Sequence, residues 1–389
     1  MKLLYVVDGR SPIALNWIRY FVAGGHDVHL ASTYPCSPGL PLASLTIIPV
    51  ALSEAAGLPD GASGRGWLRR LIPLGWRTAL RQRLGPLTLP GAAQKLRHLA
   101  EDLQPDLVHA MRIPYEGMLT ARALEGLPLS LLISVWGNDF TLHAPATPWL
   151  GRETRRALQR ADALHADCHR DVRLAHAWGF PKDRPAVVLP GAGGVQPELF
   201  YPPQNPEARQ PLVISPRGLR AYIRNDTFFR AVPLVLACRP EARFICPAMA
   251  GEAEPQRWLA ELGIAAQVAL LPVQTRSQMA GLFRQAQVAV SPSTHDGTPN
   301  TLLEAMACGC FPVAGDVESL REWIEPGANG LLVDPGDPQA LAGAILQAMD
   351  EPDLRQRAAE QNARLIAEKA EYGKVMHTAE RYYTEIAKK

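Results

Sequence analysis

Short apolar runs of strand length recur along the chain with amphipathic helical stretches between them, and no other feature limits the fold as much. In the first half the runs lie at 3–7, 28–31, 45–50, 106–110, 129–135, 163–166 and 186–189. Most are apolar throughout rather than alternating, which suits strands buried on both faces of a parallel sheet. A loop-rich stretch with Gly191, Gly193, Gly194, Pro197, Pro202, Pro203 and Pro206 then interrupts the pattern, as a connection between domains does. The alternation resumes at 212–215, 243–246, 268–271, 288–290, 311–314 and 331–333, and ends in one long helical pattern over 358–386. The expected fold class is α/β, with two Rossmann-like, doubly wound domains that divide after residue 197. At 389 residues the chain is long enough for two cores.

Composition narrows the functions. The 40 basic and 38 acidic residues nearly cancel, so overall charge gives no reason to expect a nucleic-acid partner. The six cysteines form no CxxC pair and are expected to be reduced core residues. The opening MKLLYVVDG meets Asp8 too early for a signal peptide, and no apolar run approaches the length of a membrane span, so a cytoplasmic location is expected.

Ligands of open α/β sheets bind at the carboxyl ends of the strands. In the first half this singles out Gly9 after the first run, His109 at the end of 106–110, and Asp139 in the Trp136-Gly-Asn-Asp139 loop. The Gly9 loop lacks a GxGxxG fingerprint, which disfavours a dinucleotide. In the second half the run 288–290 opens into a polar loop and then a short helix expected at 302–308, ending at Gly309. Thr301 with Glu304 three residues on has the form of a capping box, making Thr301 the expected N-cap. A helix N-terminus preceded by such a loop favours an anion, and Asp296 and Glu304 frame it. Each carboxylate also has a plainer reading, one as a loop turn and the other as a cap.

The string Asp296-Gly-Thr-Pro-Asn-Thr-Leu-Leu-Glu304-Ala-Met-Ala-Cys-Gly309 resembles the acidic pair and following helix of the family 4 glycosyltransferases of GT-B fold, the glycosyl transferases group 1. The likeness continues through Pro312-Val313, Gly330-Leu-Leu-Val333, Gly336-Asp337, Val135-Trp-Gly-Asn-Asp139 and Gly194-Val-Gln-Pro-Glu-Leu-Phe200. It implies two domains facing a cleft, the second over 198–370, with a last helix at 371–389 returning to the first. It further implies retaining sugar transfer from a nucleotide-diphosphate sugar, with no metal or other cofactor required.

By position, the resemblance gives Glu304 the donor's ribose hydroxyls and places Asp296 at the donor sugar. It gives the main-chain N–H groups around Thr298, Pro299, Asn300, Thr301 and Leu302 the diphosphate. Arg217 matches the family's phosphate-binding Arg, and Val273 falls where main chain meets the base. Three departures stand out: Asp296 for the usual Glu, Tyr222 for a Lys, and Trp136 for a His. Arg220 and Arg224 are both candidates for the missing Lys charge, and Asp139 and His109 for the polar groups near Trp136. The departures leave an alternative open, a non-catalytic sugar-nucleotide-binding or scaffold protein of the same fold.

Residues 61–100 hold no Asp or Glu but carry Arg65, Arg69, Arg70, Arg77, Arg81, Arg83, Lys95 and Arg97 among Trp67, Trp76 and several leucines. That mixture reads either as a surface for an anionic membrane, with a lipid-linked or envelope acceptor, or as an amphipathic segment packed on its own sheet. Sedimentation with vesicles separates the two. The membrane reading expects binding that needs anionic lipid, weakens with salt, and drops when Arg69, Arg70, Arg77 and Arg81 become Gln. Protein left in the supernatant at low salt favours the packed segment.

Overall fold

The computed structural model describes residues 1–50, 85–205 and 209–387, so the arginines at 65–83 lie outside the described residues. Of the remaining basic groups in that stretch, Lys95 is exposed and Arg97 pairs with Glu101 at 2.9 Å. The chain divides into two compact units, Met1–Gly193 with Met376–Lys389, and Gly194–Val375.

Among the described residues, the first unit is built on seven parallel strands in the order β3-β2-β1-β4-β5-β6-β7. They are β1 Lys2–Val7, β2 Asp27–Ser32, β3 Ser44–Ile47, β4 Leu107–Met111, β5 Leu131–Val135, β6 Ala163–Ala166 and β7 Ala186–Val188. Among the described residues its helices are α1 Pro12–Ala23, α2 Leu89–Leu103, α3 Met118–Ala123, α4 Pro148–Arg160 and α5 His169–Ala177. Strand parity sorts the side chains: Leu4, Val6, Val108, Ala110, Ile133 and Leu164 enter one apolar core. The other parity is equally buried but mixes apolar side chains with polar ones, Tyr5, His109, Ser134 and His165.

The second unit repeats the plan with six parallel strands, β10-β9-β8-β11-β12-β13. These are β8 Leu212–Ile214, β9 Arg243–Cys246, β10 Val268–Leu270, β11 Val288–Ser291, β12 Phe311–Gly315 and β13 Leu331–Val333. The helices are α6 Asn225–Cys238, α7 Ala253–Leu262, α8 Arg276–Gln285, α9 Asn300–Ala307, α10 Pro338–Asp350 and α11 Pro352–Lys369. Val213, Val288, Val290 and Val313 face one core, and Ile214, Ala289 and Ala314 face another. Such strands are buried on both sides, which is why their sequences do not alternate.

The single tail helix expected over 358–386 is two helices, α11 and α12 (Tyr372–Ala387). A backbone bridge breaks it: Val195 N–H donates to the Ala370 carbonyl at 2.7 Å, and Tyr372 N–H donates to the Val195 carbonyl at 2.9 Å. The approach is so close that a Cβ on Gly194, whose φ is +90°, would overlap the Ala370 carbonyl. Only glycine suits both the space and that dihedral.

From Met376 onward α12 belongs to the first unit. Tyr383 stacks on Phe21 with ring centroids 4.4 Å apart. His26 bonds Glu380 of this helix at 2.9 Å. Tyr383 also opens a buried chain of hydrogen bonds across the sheet. Its hydroxyl meets His109 Nδ1 at 2.5 Å, His109 Nε2 meets Ser134 Oγ at 2.7 Å, Ser134 Oγ meets His165 Nδ1 at 2.8 Å, and His165 Nε2 meets the Leu189 carbonyl at 2.9 Å.

The ends of the chain fix its protons. The Leu189 carbonyl only accepts, so His165 carries its proton on Nε2 and accepts from Ser134 at Nδ1. Ser134 has one proton to give, so it must accept from His109 Nε2–H, and His109 Nδ1 accepts from Tyr383. Trp17 Nε1–H, which only donates, supplies the Tyr383 oxygen at 2.8 Å. This arrangement takes both imidazoles as neutral. Burial drives both below the ordinary histidine range, His165 to about 4, and the neighbouring imidazole adds to the effect at His109.

A depressed histidine pKa means that the unfolded chain binds protons the folded chain refuses. Stability is then undiminished above pH ~6.5 and falls as pH drops toward 4, by at most roughly 3 kcal/mol for His165. Urea midpoints at pH 7 and pH 4.5 should show a larger acid loss in wild type than in His165→Gln. Equal losses would remove His165 from the effect.

Candidate functional site

Strands β8 and β11 are adjacent and parallel, with Val213 opposite Val288 and Ile214 opposite Ala289. From β8 the chain moves to β9 on one side, and from β11 to β12 on the other. The loops leaving their carboxyl ends therefore part at a topological switch point, the place where such sheets form a binding crevice. Here the loops are also joined. Ile223 and Ser293 form an antiparallel bridge, and Arg224 N–H donates to the Pro292 carbonyl at 2.9 Å. The Tyr222 carbonyl accepts from Thr294 N–H at 2.9 Å and from its hydroxyl at 3.2 Å.

The β11 loop is also held from behind. A Cβ on Gly315, at the end of β12, would overlap the Ser293 carbonyl, so only glycine lets the two backbones approach this closely. Ser319 Oγ donates to the Asp296 carbonyl at 2.6 Å, and the Trp323 indole N–H donates to Thr298 Oγ1 at 2.9 Å. Asp296 is 7% exposed, and its carboxylate pairs with the Arg217 guanidinium from the β8 loop. Burial opposes charge on Arg217, but Asp296 and Tyr222 outweigh it and hold the group more firmly protonated than usual. Its Cζ lies 5.5 Å from the Tyr222 ring centroid, and Nη2 reaches the Tyr222 hydroxyl at 3.4 Å.

Helix α9 begins two residues earlier than expected. Pro299, not Thr301, is the N-cap, and its carbonyl accepts from Leu302 N–H at 3.0 Å and Leu303 N–H at 3.3 Å. Glu304 then lies five residues past the cap, beyond capping-box reach, and no side chain caps the helix. The N–H groups of Asn300 and Thr301 precede the first intrahelical bond, which leaves them suited to an anion. The C-terminal expectation stands: Gly309 has a φ of +74°.

Glu304 pairs with Arg276 at 3.2 Å, and Arg276 also donates to Gln196 Oε1 at 3.0 Å. Burial pushes the Glu304 carboxyl up to about 7, although Arg276 pulls the other way. Nothing in the sequence around Arg276 marked it as a partner of Glu304. Of the two arginines offered for the missing Lys charge, Arg224 is engaged by Asp226 at 2.9 Å. Arg220 is exposed, and its Nε bonds the Arg217 carbonyl at 3.4 Å. Val273 is 82% exposed, beyond the end of β10.

The candidates of the first unit are occupied. His109 is 1% exposed and spends both ring nitrogens within the sheet. Asp139, also 1% exposed, binds Arg112 Nε at 2.9 Å and the N–H groups of Trp136 and Ile113 at 3.1 and 3.3 Å, so it closes its own loop. Burial pushes its carboxyl up, opposed by Arg112. Gly9 N–H donates to Ser32 Oγ at 3.0 Å and is not offered to a ligand. Sequence placed these residues at strand ends without showing that other parts of the fold would absorb them. Among the described residues, one group is placed to hold a metal ion, Asp167, Cys168 and Asp171, and it includes neither Asp296 nor Glu304.

Residues 201–365 match the family model described as glycosyl transferases group 1, and residues 9–191 match the glycosyl transferase 4-like domain. The chain therefore carries a glycosyl transferases group 1 domain and a glycosyl transferase 4-like domain. Among curated proteins, D-inositol 3-phosphate glycosyltransferase of Thermobispora bispora is 31% identical over 249 residues, 59% of this chain and 56% of that protein. The Thermomonospora curvata protein of the same name is 32% identical over 243 residues, 55% of this chain and 54% of its own. The chain thus spans little more than half the length of these relatives.

Solved structures share the GT-B fold over nearly the whole chain. Sucrose-phosphate synthase from Thermosynechococcus elongatus superposes with a TM-score of 0.77 at 16% identity, covering 99% of both chains. Anabaena HepE in complex with UDP and glucose gives 0.73 at 14% identity, covering 99% of this chain and 100% of that one. In this chain the acidic pair is built as two ion pairs, Asp296 with Arg217 and Glu304 with Arg276.

A carboxyl group whose folded pKa is raised stabilises the fold below the ordinary glutamate range and loses that contribution as pH rises toward 7. Relative to Glu304→Gln, wild type should therefore lose stability between pH 4.5 and 7.5. The loss is at most about 3 kcal/mol, reduced by the residue's partial exposure. Paired urea melts across that range read the difference, and parallel curves would contradict it.

Proposed function

We propose that the protein transfers a sugar from a nucleoside-diphosphate sugar to a hydroxyl acceptor, with retention at the anomeric carbon and without a metal. The observation that carries this reading is the meeting of Arg217, Asp296 and the uncapped first turn of α9 at the carboxyl ends of β8 and β11. Breaking a glycosyl–phosphate bond places negative charge on the leaving diphosphate. Fixed donors aimed at that charge lower the barrier. The N–H groups of Asn300 and Thr301 and the Arg217 guanidinium are donors of this kind. Asp296 faces the departing sugar, where its negative charge opposes charge build-up on the anomeric carbon. Glu304 takes the ribose hydroxyls, and the main chain near Val273 takes the base.

HepE is described with UDP and with UDP-glucose, which makes a uridine donor the first to test. The acidic-pair string also favours transfer over epimerisation on the same fold. For the acceptor, the sequence supports a lipid-linked or envelope glycan through the basic stretch before residue 100.

The two carboxylates should separate kinetically. Glu304→Ala loses ground-state hydrogen bonds and should raise KM for the donor, while Asp296→Asn should mainly lower kcat. Arg217→Ala removes a charge-assisted hydrogen bond of roughly 1.5–3 kcal/mol and should lower kcat/KM about 10- to 100-fold. Full turnover by Asp296→Asn would remove that residue from the chemistry.

A chelator should leave activity intact. Loss in EDTA with rescue by magnesium or manganese would assign charge neutralisation to a metal instead. Proton NMR of the product reads the anomeric configuration directly, and an inverted product would overturn retention.

A further inference from the structure

We propose that Asp296 and Arg217 form a resting ion pair that the donor's diphosphate takes apart, so that the carboxylate is released toward the sugar only when a donor is bound. The inference rests on the donor-site reading above and specifies how that site is regulated.

Three features point to it. The first is that one guanidinium serves two anions. Arg217 is 14% exposed at its side chain and already holds Asp296, yet it stands on the β8 loop where a diphosphate at the α9 N-terminus would need it. The second is that no other buried cation of that loop relieves the competition. Arg224 is committed to Asp226, Arg220 is exposed, and position 222 carries a Tyr rather than a basic residue. The third is that only side chains have to move. The Asp296 carbonyl is fixed by Ser319, and the Tyr222 carbonyl is fixed by Thr294. The Tyr222 ring and hydroxyl meanwhile give the guanidinium a surface along which to turn.

A diphosphate beside an intact pair would set like charges close together in a site screened from water, which costs affinity. Once it takes the guanidinium, it leaves Asp296 charged and without its partner next to the sugar. The carboxylate then acts at the moment when positive charge develops there. An empty site keeps the same carboxylate neutralised.

The test measures binding of UDP and of inorganic pyrophosphate by calorimetry, with folding checked by thermal melting. If the carboxylate competes for Arg217, Asp296→Asn should bind both ligands at least about tenfold more tightly than wild type. Asp296→Glu, which keeps the charge, should bind like wild type. In the Tyr222→Lys background a second cation removes the competition, so wild-type Asp296 should no longer hold affinity down. There, pyrophosphate should bind more tightly than to the parent, and the gain from Asp296→Asn should shrink. This variant carries the test if Asp296→Asn does not fold.

Folded Asp296→Asn with unchanged or weaker diphosphate affinity overturns the exchange while leaving the donor site in place. So does an unchanged affinity in Tyr222→Lys. Failure of the wild-type protein to bind UDP, GDP, ADP or pyrophosphate overturns the donor reading, and the exchange with it.

Discussion

The parallel pairing of β8 with β11 is the constraint on which the site depends. Two neighbouring strands whose connections leave in opposite directions cannot have their exit loops packed side by side, so a crevice opens at their carboxyl ends. In this chain the crevice is narrowed by backbone contacts between the two loops, and the Gly315 approach to Ser293 anchors one of them to β12. Because the frame is made of main chain, it holds Arg217 and Asp296 together without relying on long, mobile side chains. The uncapped first turn of α9 follows from the same geometry, since the loop must reach the helix through Pro299.

Charge placement inside that frame is economical. Each acidic group in the site has one arginine, and each arginine is steadied by a second contact: Tyr222 for Arg217, Gln196 for Arg276. Burial favours the neutral form of a carboxyl group and pushes Glu304 that way, while Arg276 pulls against it. The pairs therefore stabilise ionised groups that water would otherwise have to solvate. They also make those groups responsive to any ligand that brings its own charge.

The first unit uses buried polarity differently. Its chain from Trp17 through Tyr383, His109, Ser134 and His165 to Leu189 contains no charged group, and every proton in it has one direction. A fully satisfied network of this kind costs little to bury and specifies one arrangement of the helix that closes it. Tyr383 is the member contributed by α12, and its stacking on Phe21 makes the docking both polar and apolar.

By itself the sequence determined the strand series, the two-unit plan and the string from Asp296 to Gly309. Runs buried on both faces must be apolar, and a helix needs a stop such as Gly309, so these features are written locally. Tertiary structure alone decided what each polar residue would meet. The capping box read from Thr301 and Glu304 gave way to Pro299 as cap, and Glu304 was drawn to Arg276, a residue on another helix. The tail pattern continued through Ala370, but a bridge to Val195 cut it, and a contact that distant in sequence leaves no mark on local periodicity. His109 and Asp139 carried the signature of strand-end site residues. Whether such a group faces a ligand or a partner within the fold depends on residues such as Tyr383 of α12, 274 positions away from His109, and pairing over that distance is set by the fold rather than by local sequence.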